Sequence, residues 1–171
     1  MQIFLFSLLL VGVLTEILAG GTVSAVSTSQ YPIRLTYVNK IADWSSASGL
    51  AKSIGVPGYS NHSYTHVLLT FYTCQQGPLD AAILWDQPSL YFGTTTFGAT
   101  DDSIRTTLLG LFHAKGIKLM VSAFGSTELP TSQGIDAVTC GNNIANYVIK
   151  NNLDGVDVDW EDTAAFQSGI G

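Results

Sequence analysis

The stretch Asp154-Gly155-Val156-Asp157-Val158-Asp159-Trp160-Glu161-Asp162 holds the densest set of groups able to do chemistry. Side chains of a strand alternate between faces, so Asp157, Asp159 and Glu161 share one face and Val156, Val158 and Trp160 the other. Successive carboxylates on that face lie roughly 6–7 Å apart. In a partly buried site their repulsion and desolvation raise at least one pKa, and the set shares protons. That suits general-acid work near neutral pH, with the last carboxyl, Glu161, keeping its proton. Three other readings compete: a solvated acidic edge strand, a calcium loop, and a magnesium site on Asp157 and Asp159. An EF-hand loop needs Gly directly after its third acidic ligand, whereas Asp162 follows Glu161 here. No phosphate-binding loop accompanies a magnesium site.

Positioning those acids requires a sheet. Residues 34–41, 66–73, 118–124 and 155–161 read as strands from their β-branched and aromatic content. Helical patterns fall between them. Over residues 101–115, Ile104, Leu108, Leu111 and Phe112 form one face. Thr100 or Asp101 can cap that helix, and Gly116 suits a left-handed residue past its end. Residues 135–151 carry Val138, Ile144, Val148 and Ile149 as a similar stripe. A short helix is expected within residues 45–53 and a turn at Val56-Pro57-Gly58, while residues 81–98 read as a long loop with room for a hairpin. Strands alternating with helices predict an α/β fold with a parallel sheet. Spacing leaves open whether that sheet is doubly wound or half of an eight-stranded barrel. No G-x-G-x-x-G follows the first strand.

The chain has 171 residues, 46% hydrophobic and 12% charged, with a net charge of −6. That balance excludes a nucleic-acid binder working through a basic surface, and the aromatic content excludes a disordered acidic tail. The apolar run at residues 3–14 (IFLFSLLLVGVL) is too short to span a bilayer but fits a secretory signal, with a short membrane anchor as the competing reading. Small residues follow it, and cleavage after Ala25 fits. Residues 1–25 are then a signal peptide and residues 26–171 one domain, secreted and extracellular, with no membrane association after cleavage. Asn61-His62-Ser63 is a glycosylation sequon. Cys74 and Cys140, the only cysteines, pair in an oxidising compartment or stay as two thiols.

The segment Asp154-Gly155-Val156-Asp157-Val158-Asp159-Trp160-Glu161 resembles the D-G-x-D-x-D-x-E signature of family 18 glycoside hydrolases, the chitinases and related endo-β-N-acetylglucosaminidases. Residues 118–125 (KLMVSAFG) resemble the family's third-strand K-x-x-x-S-x-G-G segment, bringing in Ser122 and Gly125, with Phe124 replacing a glycine. Residues 122–131 (SAFGSTELPT) and the Glu161-Asp162 ending are most similar to the secreted fungal branch. Tyr37 and Phe71 match aromatic positions on the first and second strands. The resemblance covers roughly residues 34–166.

It implies a TIM (β/α)8 barrel and cleavage of β-1,4-linked N-acetylglucosamine polymers, with no metal and no cofactor. In this family the substrate's own acetamido group replaces a protein nucleophile. Glu161 would protonate the glycosidic oxygen, Asp159 would hold the acetamido N–H, and Asp157 would share the proton of Asp159. Tyr37, Phe71 and Trp160 would line the sugar site, and Asp154 and Gly155 would be structural. A complete barrel needs about 250 residues. The resemblance therefore implies only the N-terminal half, about four βα units, as a truncated product prone to self-association through open sheet edges. Different readings of the same residues are a chitin-binding protein without turnover, an inactive fragment, or a metal-dependent α/β enzyme.

Overall fold

The computed structural model describes residues 33–39, 64–93 and 97–170. The signal segment, the helix within residues 45–53, the turn at Val56-Pro57-Gly58 and the Asn61 sequon lie outside the described residues. Five strands form one sheet: β1 (Leu35–Val38), β2 (His66–Thr73), β3 (Gly77–Pro78), β4 (Lys118–Phe124) and β5 (Val156–Asp159). The order is β1-β2-β4-β5, all parallel, with the two-residue β3 pairing antiparallel to the end of β2. The helices are α1 (Asp80–Asp86), α2 (Pro88–Phe92), α3 (Asp101–His113), α4 (Ala137–Lys150) and α5 (Thr163–Gln167). This is an α/β fold. Among the described residues no helix is long and apolar enough to cross a membrane.

Alternation divides the sheet into two faces. Val67, Leu69 and Tyr72 of β2 and Leu119, Val121 and Ala123 of β4 enter one apolar cluster. Trp85 of α1, Ile104, Leu108 and Phe112 of α3, and Cys140, Ile144 and Tyr147 of α4 join them. Burying a side chain such as Leu108 or Phe112 contributes about 1.5–3 kcal/mol. Val156, Val158 and Trp160 pack against the same cluster, so the acids of β5 face away from it. The other face carries Leu68, Thr70 and Ser122, all buried.

Several elements differ from the sequence expectation. Residues 81–98 are not one loop. Asp80–Asp86 is a helix because Ala81, Ala82 and Trp85 share a buried side, and Pro88 opens a second helix where its missing N–H costs nothing. Seven residues followed by a proline give too little periodicity to read. On α4, Val138 and Ile149 are each 72% exposed, and the buried stripe is Cys140, Ile144 and Tyr147. On α3, Leu111 is exposed and Arg105 is buried in the same side of the helix as Ile104, Leu108 and Phe112. Its guanidinium donates to the carbonyls of Trp85 and Asp86 and to Asp102, which satisfies carbonyls at the end of α1. Thr100 does cap α3, in a reciprocal box with Ser103, and Gly116 adopts φ +70°.

Candidate active site

The parallel register sets Ser122 beside Asp157 and Phe124 beside Asp159. Asp157 is 1% exposed. Its Oδ2 accepts from the Ser122 hydroxyl at 2.8 Å and from the Tyr37 hydroxyl at 3.3 Å. Its Oδ1 is buried with no hydrogen-bond partner among the described residues. A bare buried carboxylate oxygen is costly, and a proton on a neighbouring carboxyl would relieve it. Asp159 is that neighbour by sequence and face. Burial pushes its pKa up, and the charges of Glu161 and Asp157 push it further in the same direction. Glu161 lies two residues past the end of β5 and is exposed. The set therefore runs from a fully buried carboxyl group, through one whose pKa is raised, to a solvent-facing one.

Tyr37 and Phe71 sit at different depths. Tyr37 is 36% exposed on β1 and reaches Asp157 across β2 and β4. Phe71 is half-buried, after a cis Thr70–Phe71 peptide, and its ring lies over Gly125. A Cβ at Gly125 would stand 2.6 Å from that ring, and φ there is +59°. Glycine is thus required twice over. Trp160 is not brought to the carboxylates. Strand parity turns it to the apolar side, where it packs on the core and meets the Phe166 ring at 6.5 Å.

Phe124 stands where the family pattern has glycine, and its φ is +76°. Simple alternation would put its ring with Ser122, yet the ring belongs to the apolar cluster. Asp154 sits at the entry of β5. It accepts from His113, from Lys118 and from the Leu119 N–H at 2.8 Å. Gly155 leaves room for Met120, whose methyl would lie 3.2 Å from an added Cβ. Cys74 and Cys140 are disulfide-bonded with Cα atoms 5.3 Å apart.

Two buried acids escaped the sequence reading. Glu128 accepts from the backbone N–H groups of Cys74 and Gln75 at 2.7 and 2.9 Å. Asp162 accepts from the Ser132 N–H and hydroxyl, each at 2.6 Å, and caps α5. Except for the cap on α5, their partners lie 30 to 54 residues away, and no local pattern announces them.

Among the described residues no group of three or more His, Cys, Asp and Glu is arranged to hold a metal ion. A cleft of about 290 Å³ lies between α1 and α4, lined by Tyr72, Asp86, Tyr147 and Lys150 among others, and the three carboxylates are not part of it.

No family model matches the chain, and no curated protein matches it. Among solved structures it aligns with a GH18 chitinase from Pseudoalteromonas aurantia at 24% sequence identity and a TM-score of 0.49. The alignment covers 80% of this chain and 44% of that one, so the chain spans less than half of that protein's length.

Proposed function

We propose that the chain carries the acid-bearing half of a family 18 glycoside hydrolase site and acts on β-1,4-linked N-acetylglucosamine polymers. One observation carries the reading: a fully buried Asp157 with one oxygen unpartnered among the described residues, beside an Asp159 whose pKa is raised. A carboxyl whose hold on its proton is strengthened, next to a buried carboxyl with an unpartnered oxygen, is the pairing a substrate-assisted mechanism needs. When an N-acetylglucosamine unit binds, Asp159 accepts from the acetamido N–H and steadies the developing oxazolinium charge. Ser122 and Tyr37 hold Asp157 in place beside Asp159. Glu161, exposed at the strand end, donates its proton to the leaving oxygen and then takes one from the incoming water.

The four parallel strands are the first four of a (β/α)8 barrel in this reading, and the carboxylates lie at the strand ends where such barrels place their sites. Among the described residues β1 and β5 each pair on one side only, which leaves edges through which copies can associate. Residues 1–25 act as a signal peptide and the product is secreted, with Asn61 as a glycosylation site. The apolar run at residues 3–14 and the Cys74–Cys140 bond support export, since disulfides persist in oxidising compartments. A second reading, binding of chitin without turnover, draws on the exposed Tyr37 ring beside the carboxylates.

The test is hydrolysis of a labelled chitotrioside by the chain from Val26 onward, beside Glu161→Gln. The hydrolase reading expects turnover that falls about 10²–10⁴-fold in the variant. Folded protein that retains chitin but does not cleave it establishes the binding reading instead. Folded protein that does neither removes both.

A further inference from the structure

β5 ends at Asp159, so residues 160–162 leave the sheet without ladder hydrogen bonds to fix them. Glu161 nevertheless has to stand at a set distance from Asp159 if it is to serve as the acid. Directly after it comes Asp162, which has no exposed surface. The Asp162 carboxylate accepts from the Ser132 N–H and hydroxyl at 2.6 Å and from the Ala165 N–H at 3.4 Å. Ser132 belongs to the connection from β4 to α4, and that connection is itself anchored. Glu128, 3% exposed, receives the N–H groups of Cys74 and Gln75 just after β2. Gln133 accepts from the Leu129 N–H and from Gln75. The Cys74–Cys140 bond ties the same turn to α4.

We infer that Asp162 is a positioning residue: by gripping Ser132 it fixes the backbone that carries Glu161 and holds the acid over Asp159. The inference rests on the reading of Glu161 as the acid. Consecutive Cα atoms are 3.8 Å apart, so immobilising residue 162 confines residue 161 to a small arc. The path from the end of β2 through Glu128, the β4–α4 connection and Ser132 to Asp162 begins and ends in charge-assisted hydrogen bonds, which are shorter and stronger than neutral ones. Burial pushes the Asp162 carboxyl up, but the bonds from Ser132, Ala165 and Thr131 outweigh it, so the group stays charged and keeps its grip. Among the described residues the exposed Glu161 side chain has no comparable anchor of its own, and its placement depends on the backbone beneath it.

The experiment compares wild type with Asp162→Ala, Asp162→Asn and Ser132→Ala by carboxyl NMR titration of Asp159 and by chitotrioside kinetics. In Asp162→Ala the Asp159 midpoint falls toward its ordinary value, because the charge of Glu161 has moved away. The kcat drops about 10–100-fold, as misplacement near 1 Å does, while KM stays within twofold. Asp162→Asn, which still accepts from Ser132, recovers most of both readouts, and Ser132→Ala falls between. A folded Asp162→Ala variant with wild-type kcat and wild-type Asp159 titration overturns the inference. If wild type shows no turnover, the acid reading of Glu161 fails, and the Asp159 midpoint alone decides whether Asp162 places Glu161. If Asp162→Ala does not fold, an unchanged Asp159 midpoint in Ser132→Ala overturns the inference just as directly.

Discussion

Asp159 titrates against its surroundings: burial first, then Glu161 and Asp157, all favour the protonated form. The native carboxyl binds its proton more tightly than the unfolded one. It therefore supports folding below the ordinary aspartate pKa of about 3.9 and loses that contribution as pH rises through the raised native value. At neutral pH the charge is a net cost to stability. Asp159→Asn should accordingly raise Tm at pH 7, with the gain vanishing below about pH 3.9; calorimetry across that range checks it. An equal gain at every pH would place the effect elsewhere. Gly125→Ala belongs to the same scale. The new methyl meets the Phe71 ring at 2.6 Å and the backbone sits at φ +59°, so urea midpoints should fall. At this scale the sequence was legible for the acids, whose period-two spacing fixes their shared face. It was legible for Trp160 too, whose ring packs against the apolar layer as alternation requires. It was not legible for Phe124, which alternation would place with Ser122 but whose ring joins the apolar cluster.

Helix α3 starts and stops for local reasons, and those reasons could be read in advance. Thr100 receives the Ser103 N–H, and Gly116 supplies a left-handed residue past the end. Thr100→Ala should cost about 1 kcal/mol in urea unfolding. Leu108→Ala, at the centre of the apolar cluster, should cost about 2–5 kcal/mol. The start of β5 is set by longer-range bonds. Burial pushes the Asp154 carboxyl up, but the bonds from His113, Leu119 and Lys118 outweigh it and hold it below its ordinary range. The stability it contributes is present above about pH 3.9 and lost as pH falls through the lowered native value. Asp154→Asn should therefore lower Tm at pH 6, with the deficit shrinking as pH falls below about 3.9 through the lowered native value; an undiminished deficit at low pH would point to packing instead. Helix α4 shows where element reading stops. Its periodicity offers more apolar positions than the sheet covers, and only contact with Tyr72 and β4 selects Cys140, Ile144 and Tyr147 over Val138 and Ile149.

Cross-links join the elements into one molecule. The Cys74–Cys140 bond spans a sequence separation of 66, binding the end of β2 to α4. Replacing both cysteines with serine should lower stability by about 2–4 kcal/mol. A double variant that melts as wild type does, with two free thiols found in the parent by non-reducing mass spectrometry, would reject the bond. The sequence by itself determined the alternation of strands and helices, the shared face of Asp157, Asp159 and Glu161, and the ends of α3. Each of these follows from backbone periodicity or from a cap within four residues. Tertiary structure alone decided that Ser122 and Tyr37 both donate to one oxygen of Asp157 and leave the other without a partner among the described residues. It likewise decided that Glu128 and Asp162 tie the loops around the site, and that Arg105 belongs to the core. Those outcomes depend on which donors arrive from strands and loops 20 to 120 residues away. Desolvation, which sets the cost of every unpaired polar atom, exists only once the layers have closed over it.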